Sequence, residues 1–376
     1  LTKMSPMGSN IFVYKKIDDS NNESSSHQRQ PEDLSQIKKE LNNLLNKALE
    51  IKPPISYELF PSIAIYLKWR FDYLANTRQS PFLIGKDINY WNTQLDMMIA
   101  FQREKWINQK NIDQKSSITN NIQSFDFMWP KNTDEETNFN DSKKIAELRV
   151  DQISKIAKDQ FSLDAFKDKL VLDSGCGPGR YIYSIKKYEP QNITGVDSGN
   201  SIIKSNIKRF KGIPNISFVE GDCKKLPFDD NSFDFVLSAG VLHHVDAPLN
   251  KTIEDHSRVL KPGGLFFIFL VGEGGMELDI WNFCEKLLTN VPMEYFYERF
   301  KNSIHPLRLQ GVMDHSFSSY FHTNRNYCEK LLDDYFEEFV RVPGVKGLDV
   351  TNETFSDDAY FETRFGSGNL RYMCKK

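Results

Sequence analysis

Apolar positions are sparse at the start of the chain and then follow two successive rhythms. Residues 1–31 end in DDSNNESSSHQRQP, which buries too little apolar surface to offset its ordering entropy, so a disordered leader is predicted over 1–31. From Glu32 the pattern turns helical: Leu34, Ile37, Leu41, Leu44, Leu45 and Ala48 recur at helical spacing until Pro53 and Pro54 stop them. A second helix is predicted over 57–76. A third is predicted between Asp87 and Lys110, with Trp91, Leu95, Met98, Ile99 and Trp106 on one face. Together they predict a helical N-terminal module over 32–115, tied by the polar linker NQKNIDQKSSITNN to a second domain over 116–376. The module either acts on its own or packs as a cover on that domain.

After the linker come SFDFMWP (124–130) and an amphipathic helix opened by Asp141, with Ile145, Leu148, Ile156 and Ala157. From Lys169 the rhythm alternates. KLVLDS, NITGVD, ISFVEGD, FDFVLS and GLFFIFLV read as strands; GRYIYSIKKY, NSIIKSNIKRF and APLNKTIEDHSRVL read as helices. Short Val/Ile/Phe-rich runs joined by helices need right-handed crossovers, hence an α/β fold with a mostly parallel sheet covered on both faces.

Composition narrows the picture. The 376 residues carry 48 Lys plus Arg against 51 Asp plus Glu, a net charge of −3, too balanced for a protein that holds a phosphate backbone by bulk charge. No basic, aromatic-interleaved strand or arginine-rich arm appears either, so no nucleic-acid partner is expected. The longest apolar run, GLFFIFLVG (264–272), falls well short of the roughly 20 residues of a membrane span. LTKMSPMGSN lacks a basic region followed by an apolar one, so no secretion signal is read. Cys176, Cys223, Cys284, Cys328 and Cys374 are odd in number and form no CxxC pair, which argues against a disulfide framework or a metal site and points to the cytoplasm.

The chemistry concentrates in VLDSGCGPGR (171–180), where a strand ends in Asp173 and turns through Gly175, Cys176, Gly177 and Gly179 into a helix that begins at Arg180. A glycine turn lets backbone approach a ligand closely. The spacing departs from the dinucleotide fingerprint, whose third glycine falls where Arg180 stands, so a pyrophosphate reader is disfavoured. The next strand ends in Asp197, 24 residues after Asp173, where one carboxylate can accept both hydroxyls of a ribose. The third ends at Glu220, Gly221, Asp222 and Cys223, where a carboxylate and a backbone N–H suit adenine.

In these residues the chain resembles the class I S-adenosylmethionine (SAM)-dependent methyltransferases. Through LPFDDNSFDFVLSAGVLHHV (226–245) and RVLKPGGLFFIFL (258–270) it looks most like the branch with the ubiquinone and menaquinone ring C-methyltransferases. The resemblance implies a Rossmann-like seven-stranded sheet closed by an antiparallel pair, EEFVRV and NLRYMC. It further implies that Asp173, Gly175, Gly177 and Gly179, with Cys176 and Arg180, line the methionine end of SAM. Asp197 and Ser198 would hold the ribose, Asp222 and Cys223 the adenine, and Ala239 the edge of the methyl site. SFDFMWP is similar to an aromatic segment that folds over the cofactor in some members, which makes Phe125 and Trp129 cofactor candidates. Two positions depart from the family pattern: Ser174 stands where an apolar residue is common, and Gly199 where a serine is, leaving Ser198 or Asn200 to cap the next helix.

SAM brings an activated methyl, so the protein supplies alignment, exclusion of water and a base. His243 and His244, just past the fourth strand, are the first base candidates, with packing or capping as the plainer reading. Class I enzymes select acceptors largely with the segment after the fifth strand. Here 272–335 is ring-rich and predicts a lid with two helices, 276–289 and 292–302. Asp314, His315, Tyr320 and His322 form a second candidate set; the plainer reading makes the rings the lid's own core. The expected function is methyl transfer to a small acceptor in an aromatic pocket, with SAM as cofactor and S-adenosylhomocysteine (SAH) as product. The alternatives are a ring C-methyltransferase, or a catalytically silent SAM-binding subunit whose N-terminal helices meet a second copy or a partner protein. Transfer of an aminopropyl group would need acidic residues gripping a polyamine, and the His-His segment offers none.

Overall fold

The computed structural model describes residues 34–53, 55–103, 123–128, 136–304, 306–345 and 360–376. The leader expected over 1–31, and Trp106 and Trp129, lie outside them. Three helices come first: α1 (Leu34–Ala48), α2 (Ile55–Asn76) and α3 (Ile84–Arg103). A helical turn over 123–128 and α4 (Glu136–Phe161) lead into the alternating region. There β1 (Leu170–Ser174), α5 (Arg180–Ile185), β2 (Asn192–Asp197), α6 (Asn200–Arg209), β3 (Ile216–Glu220), β4 (Phe233–Ala239), α7 (Leu249–Val259) and β5 (Leu260–Val271) follow in turn.

The sheet has seven strands in the order β3-β2-β1-β4-β5-β7-β6, the Rossmann-like arrangement expected. β1 to β5 run parallel, while β6 (Glu338–Arg341) and β7 (Asn369–Lys375) are antiparallel additions, with Phe267 of β5 opposite Met373 of β7. One sheet face packs on α4 to α6 through Val150, Ile153, Ile182 and Ile203; the other packs on α7 through Ile253, Phe266 and Leu370. Crossovers on both faces bury the central strands twice, which is why they read as nearly continuous apolar runs.

After β5 the chain leaves the sheet for α8 (Gly275–Leu288), α9 (Met293–Phe300), α10 (Pro306–Phe317) and α11 (Arg325–Tyr335), returning through β6, α12 (Phe361–Phe365) and β7. The two expected lid helices are present. Two more were missed: α10 contains Asp314 and His315, in a stretch whose Ser, His and Asn residues mask its periodicity. α1 to α3 share a hydrophobic core with the lid: Ile63, Leu67 and Phe71 pack in one cluster with Ile280, Cys284, Leu287 and Phe296. Leu148, counted on the buried face of α4, is instead 48% exposed. Among the described residues no helix is long and apolar enough to cross a membrane.

Candidate active site

At the tip of β1 the chain turns back on β2. The amides of Gly175 and Cys176 both donate to the Val196 carbonyl, at 2.8 and 2.9 Å. Gly175 has φ +74°, and a Cβ there would lie 2.4 Å from Val241 Cγ1; at Gly179, φ +79°, a Cβ would lie 2.8 Å from Phe210 Cε2. Packing against the protein itself therefore demands these two glycines. Asp197 ties the loops together: the Gly177 amide donates to its Oδ2 and the Gly199 amide to its Oδ1, both at 2.9 Å. Burial raises the Asp197 carboxyl above its ordinary value, against those amides, and Asp126 adds to the rise.

Asp173 is 2% exposed, and its Oδ2 has no hydrogen-bond partner among the described residues. Burial pushes its carboxyl up to about 7, with Arg180 opposing and Asp197 adding. A buried carboxylate oxygen left unsatisfied beside a glycine turn suits a cationic donor, the chemistry of the amino end of SAM.

Both departures from the family pattern have structural causes. Ser174 Oγ lies 2.9 Å from His256 Nε2 and 3.2 Å from Cys223 Sγ, while His256 Nδ1 donates to the Thr252 carbonyl at 2.6 Å. This network joins the ends of β1 and β3 to α7, and burial holds His256 neutral, its value lowered to about 4. At Gly199 a Cβ would sit 2.9 Å from Asp126 Oδ1. Asp126 caps α6 by accepting from the amides of Ser201 (3.0 Å) and Ile202 (3.3 Å) and from the Ser201 hydroxyl. Neither Ser198 nor Asn200, the expected caps, fills that place.

A cavity of about 1460 Å³ opens over these strand ends. Phe125, Gly175, Cys176, Gly177, Arg180, Asp197, Ser198, Asp222, Cys223 and Ala239 all line it, whereas Asp173 and Gly179 do not. All six catalytic candidates line its other half: His243, His244, Asp314, His315, Tyr320 and His322. The Tyr320 ring is central, its centroid 6.2, 5.5, 5.4 and 4.8 Å from those of His243, His244, His315 and His322. Phe125 meets His244 edge-on at 4.9 Å, and Ser124 Oγ donates to the Phe317 carbonyl of α10 at 2.9 Å. The 123–128 turn is thus pinned to the nucleotide end by Asp126 and to the lid by Ser124.

Burial lowers the values of His243, His244 and His322, the last to about 4. Neighbouring histidines add to the fall at all three, whereas Asp314 opposes it at His244 and Glu273 at His322. His243 is 4% exposed, and its Nδ1 has no hydrogen-bond partner among the described residues. His315 stacks on Trp281 at 4.0 Å and donates from Nδ1 to the Gly311 carbonyl at 2.9 Å, which leaves Nε2 as an acceptor.

The sequence reading missed the contribution of α2 and α4. Lys68, Trp69 and Asp72 of α2 and Arg149 of α4 reach the same cavity. Lys68 Nζ bridges Asp72 (2.7 Å) and Glu277 of α8 (2.8 Å) and stands 4.7 Å from the Trp281 ring. A lone lysine inside the apolar run IAIYLKWRF, with Asp72 one helical turn on, was the available signal.

The description of the family "Methyltransferase domain" matches residues 172–268. The chain is 30% identical over 189 residues to the phthiotriol/phenolphthiotriol dimycocerosates methyltransferase of Mycobacterium tuberculosis, covering 50% of this chain and 63% of that one. It is 31% identical over 134 residues to the demethylmenaquinone methyltransferase of Staphylococcus saprophyticus, covering 35% and 56%. The chain carries a class I SAM-dependent methyltransferase domain. It spans less than two thirds of the length of these curated relatives. Among solved structures, a SAM-dependent methyltransferase of Mesorhizobium loti is similar with a TM-score of 0.38 and 13% identity, over 58% of this chain and 95% of that one. In the methyltransferase domain described here, the matched residues run from inside β1 into β5 and so contain the three strand ends that meet the cavity.

Proposed function

We propose that the protein transfers the methyl group of SAM to a small acceptor held beneath the lid. The observation that carries this reading is the single cavity that joins the strand ends to the ring cluster. Asp173, with Gly175, Cys176, Gly177, Gly179 and Arg180, takes the methionine end; the unsatisfied Oδ2 of Asp173 is the natural partner of an ammonium. Asp197 and Ser198 take the ribose, Asp222 and the Cys223 amide the adenine, and Ala239 borders the methyl. Phe125 covers the nucleotide. When bound, SAM supplies a methyl on a sulfonium, so the transfer is one in-line displacement.

The chain's own work is to hold the acceptor in line, keep water out and receive a proton. The rings gathered around Tyr320 exclude water. The neutral histidines accept the proton, and the Asp314 carboxylate 3.8 Å from His244 Nε2 stabilises the imidazolium that forms. The names of the relatives cover a lipid and a quinone, so neither acceptor is carried over. Incubation with methyl-labelled SAM and a panel of phenols, amines, thiols and quinols tests the reading. Label should move to at least one class, and SAM uptake without transfer to any of them overturns it.

A further inference from the structure

Lys68 stands on the buried side of α2, one turn from the fully buried Ala64 and Phe71. Its Nζ lies 2.7 Å from Asp72 Oδ1 and 2.8 Å from Glu277 Oε1 of α8, and its side chain is largely out of water. Burial works against the charge, and Glu277 and then Asp72 outweigh it, so the amine stays protonated. An ion cluster taken out of water returns little net stability over apolar packing of the same volume. What it secures is one arrangement of the groups around it.

That arrangement leads from α2 into the ring-lined half of the cavity. Glu277 and Trp281 are one turn apart on α8, and Lys68 holds both: its Nζ bonds Glu277 and stands 4.7 Å from the centre of the Trp281 ring. The indole in turn carries the His315 imidazole of α10, stacked at 4.0 Å with the planes 17° apart. Nδ1 of that imidazole donates to the Gly311 carbonyl at 2.9 Å, and the Tyr320 ring meets it edge-on at 5.4 Å. One nitrogen and one face of His315 are therefore fixed, and Nε2 is the atom left to accept a hydrogen bond. Lys68, Glu277, Trp281 and His315 all line the cavity.

We propose that Lys68 is a positioning residue for methyl transfer: by gripping Glu277 and Trp281 it sets the plane of the indole on which His315 lies, and so the direction in which His315 Nε2 meets the acceptor. The inference rests on the methyl-transfer reading above and adds a residue of the N-terminal helices to the same site. His315 takes the hydrogen bond from the acceptor, whereas Lys68 acts only through Trp281. The N-terminal helices are then a working wall of the site. A second tie between the same layers serves as the contrast: Lys38 of α1 pairs with Asp279 of α8 at 3.4 Å, from an exposed position and away from the cavity.

Lys68→Met alone would strand two carboxylates, so the test variant combines Lys68→Met, Asp72→Asn and Glu277→Gln, which removes the whole ion cluster. In nuclear magnetic resonance spectra of SAH-saturated protein with isotope-labelled histidine, the His315 ring protons, assigned through His315→Gln, should stand upfield in the wild type, shielded by the indole. In the variant they should move downfield, to the positions of an unstacked imidazole. With methyl-labelled SAM and the panel acceptor that takes the label, the variant should lose about ten- to a hundredfold in kcat, the scale of a misplaced reacting group, with KM for the acceptor within about twofold of wild type. Lys38→Met should leave both readouts at their wild-type values. Unchanged His315 shifts overturn the proposal, as does unchanged kcat or a raised KM with kcat kept, which would make Lys68 a direct contact of the acceptor. If the combined variant fails to take up SAH, Glu277→Gln alone carries the same comparisons with smaller expected changes. Absence of transfer by the wild-type protein to any panel member instead overturns the methyl-transfer reading, while the histidine spectra still report on the contact itself, so the two failures are distinct.

Discussion

Single side chains at the nucleotide end are held at a cost that binding relieves. The folded value of Asp173 is raised above that of the unfolded chain, so its contribution to stability is full below pH 3.8 and lost as pH rises through about 7. Asp173→Asn should therefore stabilise the ligand-free protein by roughly 2 to 4 kcal/mol at pH 8, with little effect at pH 4, while weakening SAH binding; urea titrations at both pH values and calorimetry check this. Equal stability at pH 8 would remove the idea of a strained, ligand-awaiting carboxylate. Asp126→Ala should cost about 1 kcal/mol and Asp126→Asn much less, because asparagine also caps a helix. The strand-end placement of Asp173 and Asp197 was legible because short apolar runs stop at each of them. Asp126 was not: it caps a helix 75 residues away in sequence, and no local pattern records that.

Among elements, the informative contrast is between two lysines of the N-terminal helices. Lys68 is buried between carboxylates of α2 and α8, whereas Lys47 pairs at 2.7 Å with Asp96, whose side chain is 59% exposed. Lys68→Met leaves Asp72 and Glu277 buried without their cation and should cost about 3 to 5 kcal/mol. Lys47→Met should cost less than about 1 kcal/mol in the same urea titrations. Similar losses at both sites would mean that α2 does not anchor the lid. Helices with a plain apolar stripe, such as α1, were readable because their period is their burial pattern. α10 was not, because Asp314 and His315 face the cavity and interrupt that period.

For the whole molecule, pH acts through buried groups of opposite sense. His256 and His322 have folded values near 4, below those of the unfolded chain, so stability is complete above about pH 6.5 and falls as pH drops towards 4. The fully buried His256 alone accounts for roughly 2 to 3 kcal/mol of that loss. Asp173 works the other way over the same window, so Asp173→Asn should show a steeper acid loss than the wild-type protein in urea midpoints measured from pH 7.5 to 4.5. The sheet's general plan was legible from alternation alone, but the pairing of the helices with the lid depends on contacts between residues more than 200 apart, such as Lys68 with Glu277. The strand order carries one more consequence. β7 is made last of the seven yet lies between β5 and β6, with Phe339 opposite Cys374 on one side and Phe266 opposite the same residue on the other. During synthesis β5 therefore emerges with a bare hydrogen-bonding edge, and nearly a hundred residues are added before its neighbour exists. The nascent chain spends that interval as a sticky half-sheet, and its yield in the cell should depend on what shields that edge from other unfinished chains.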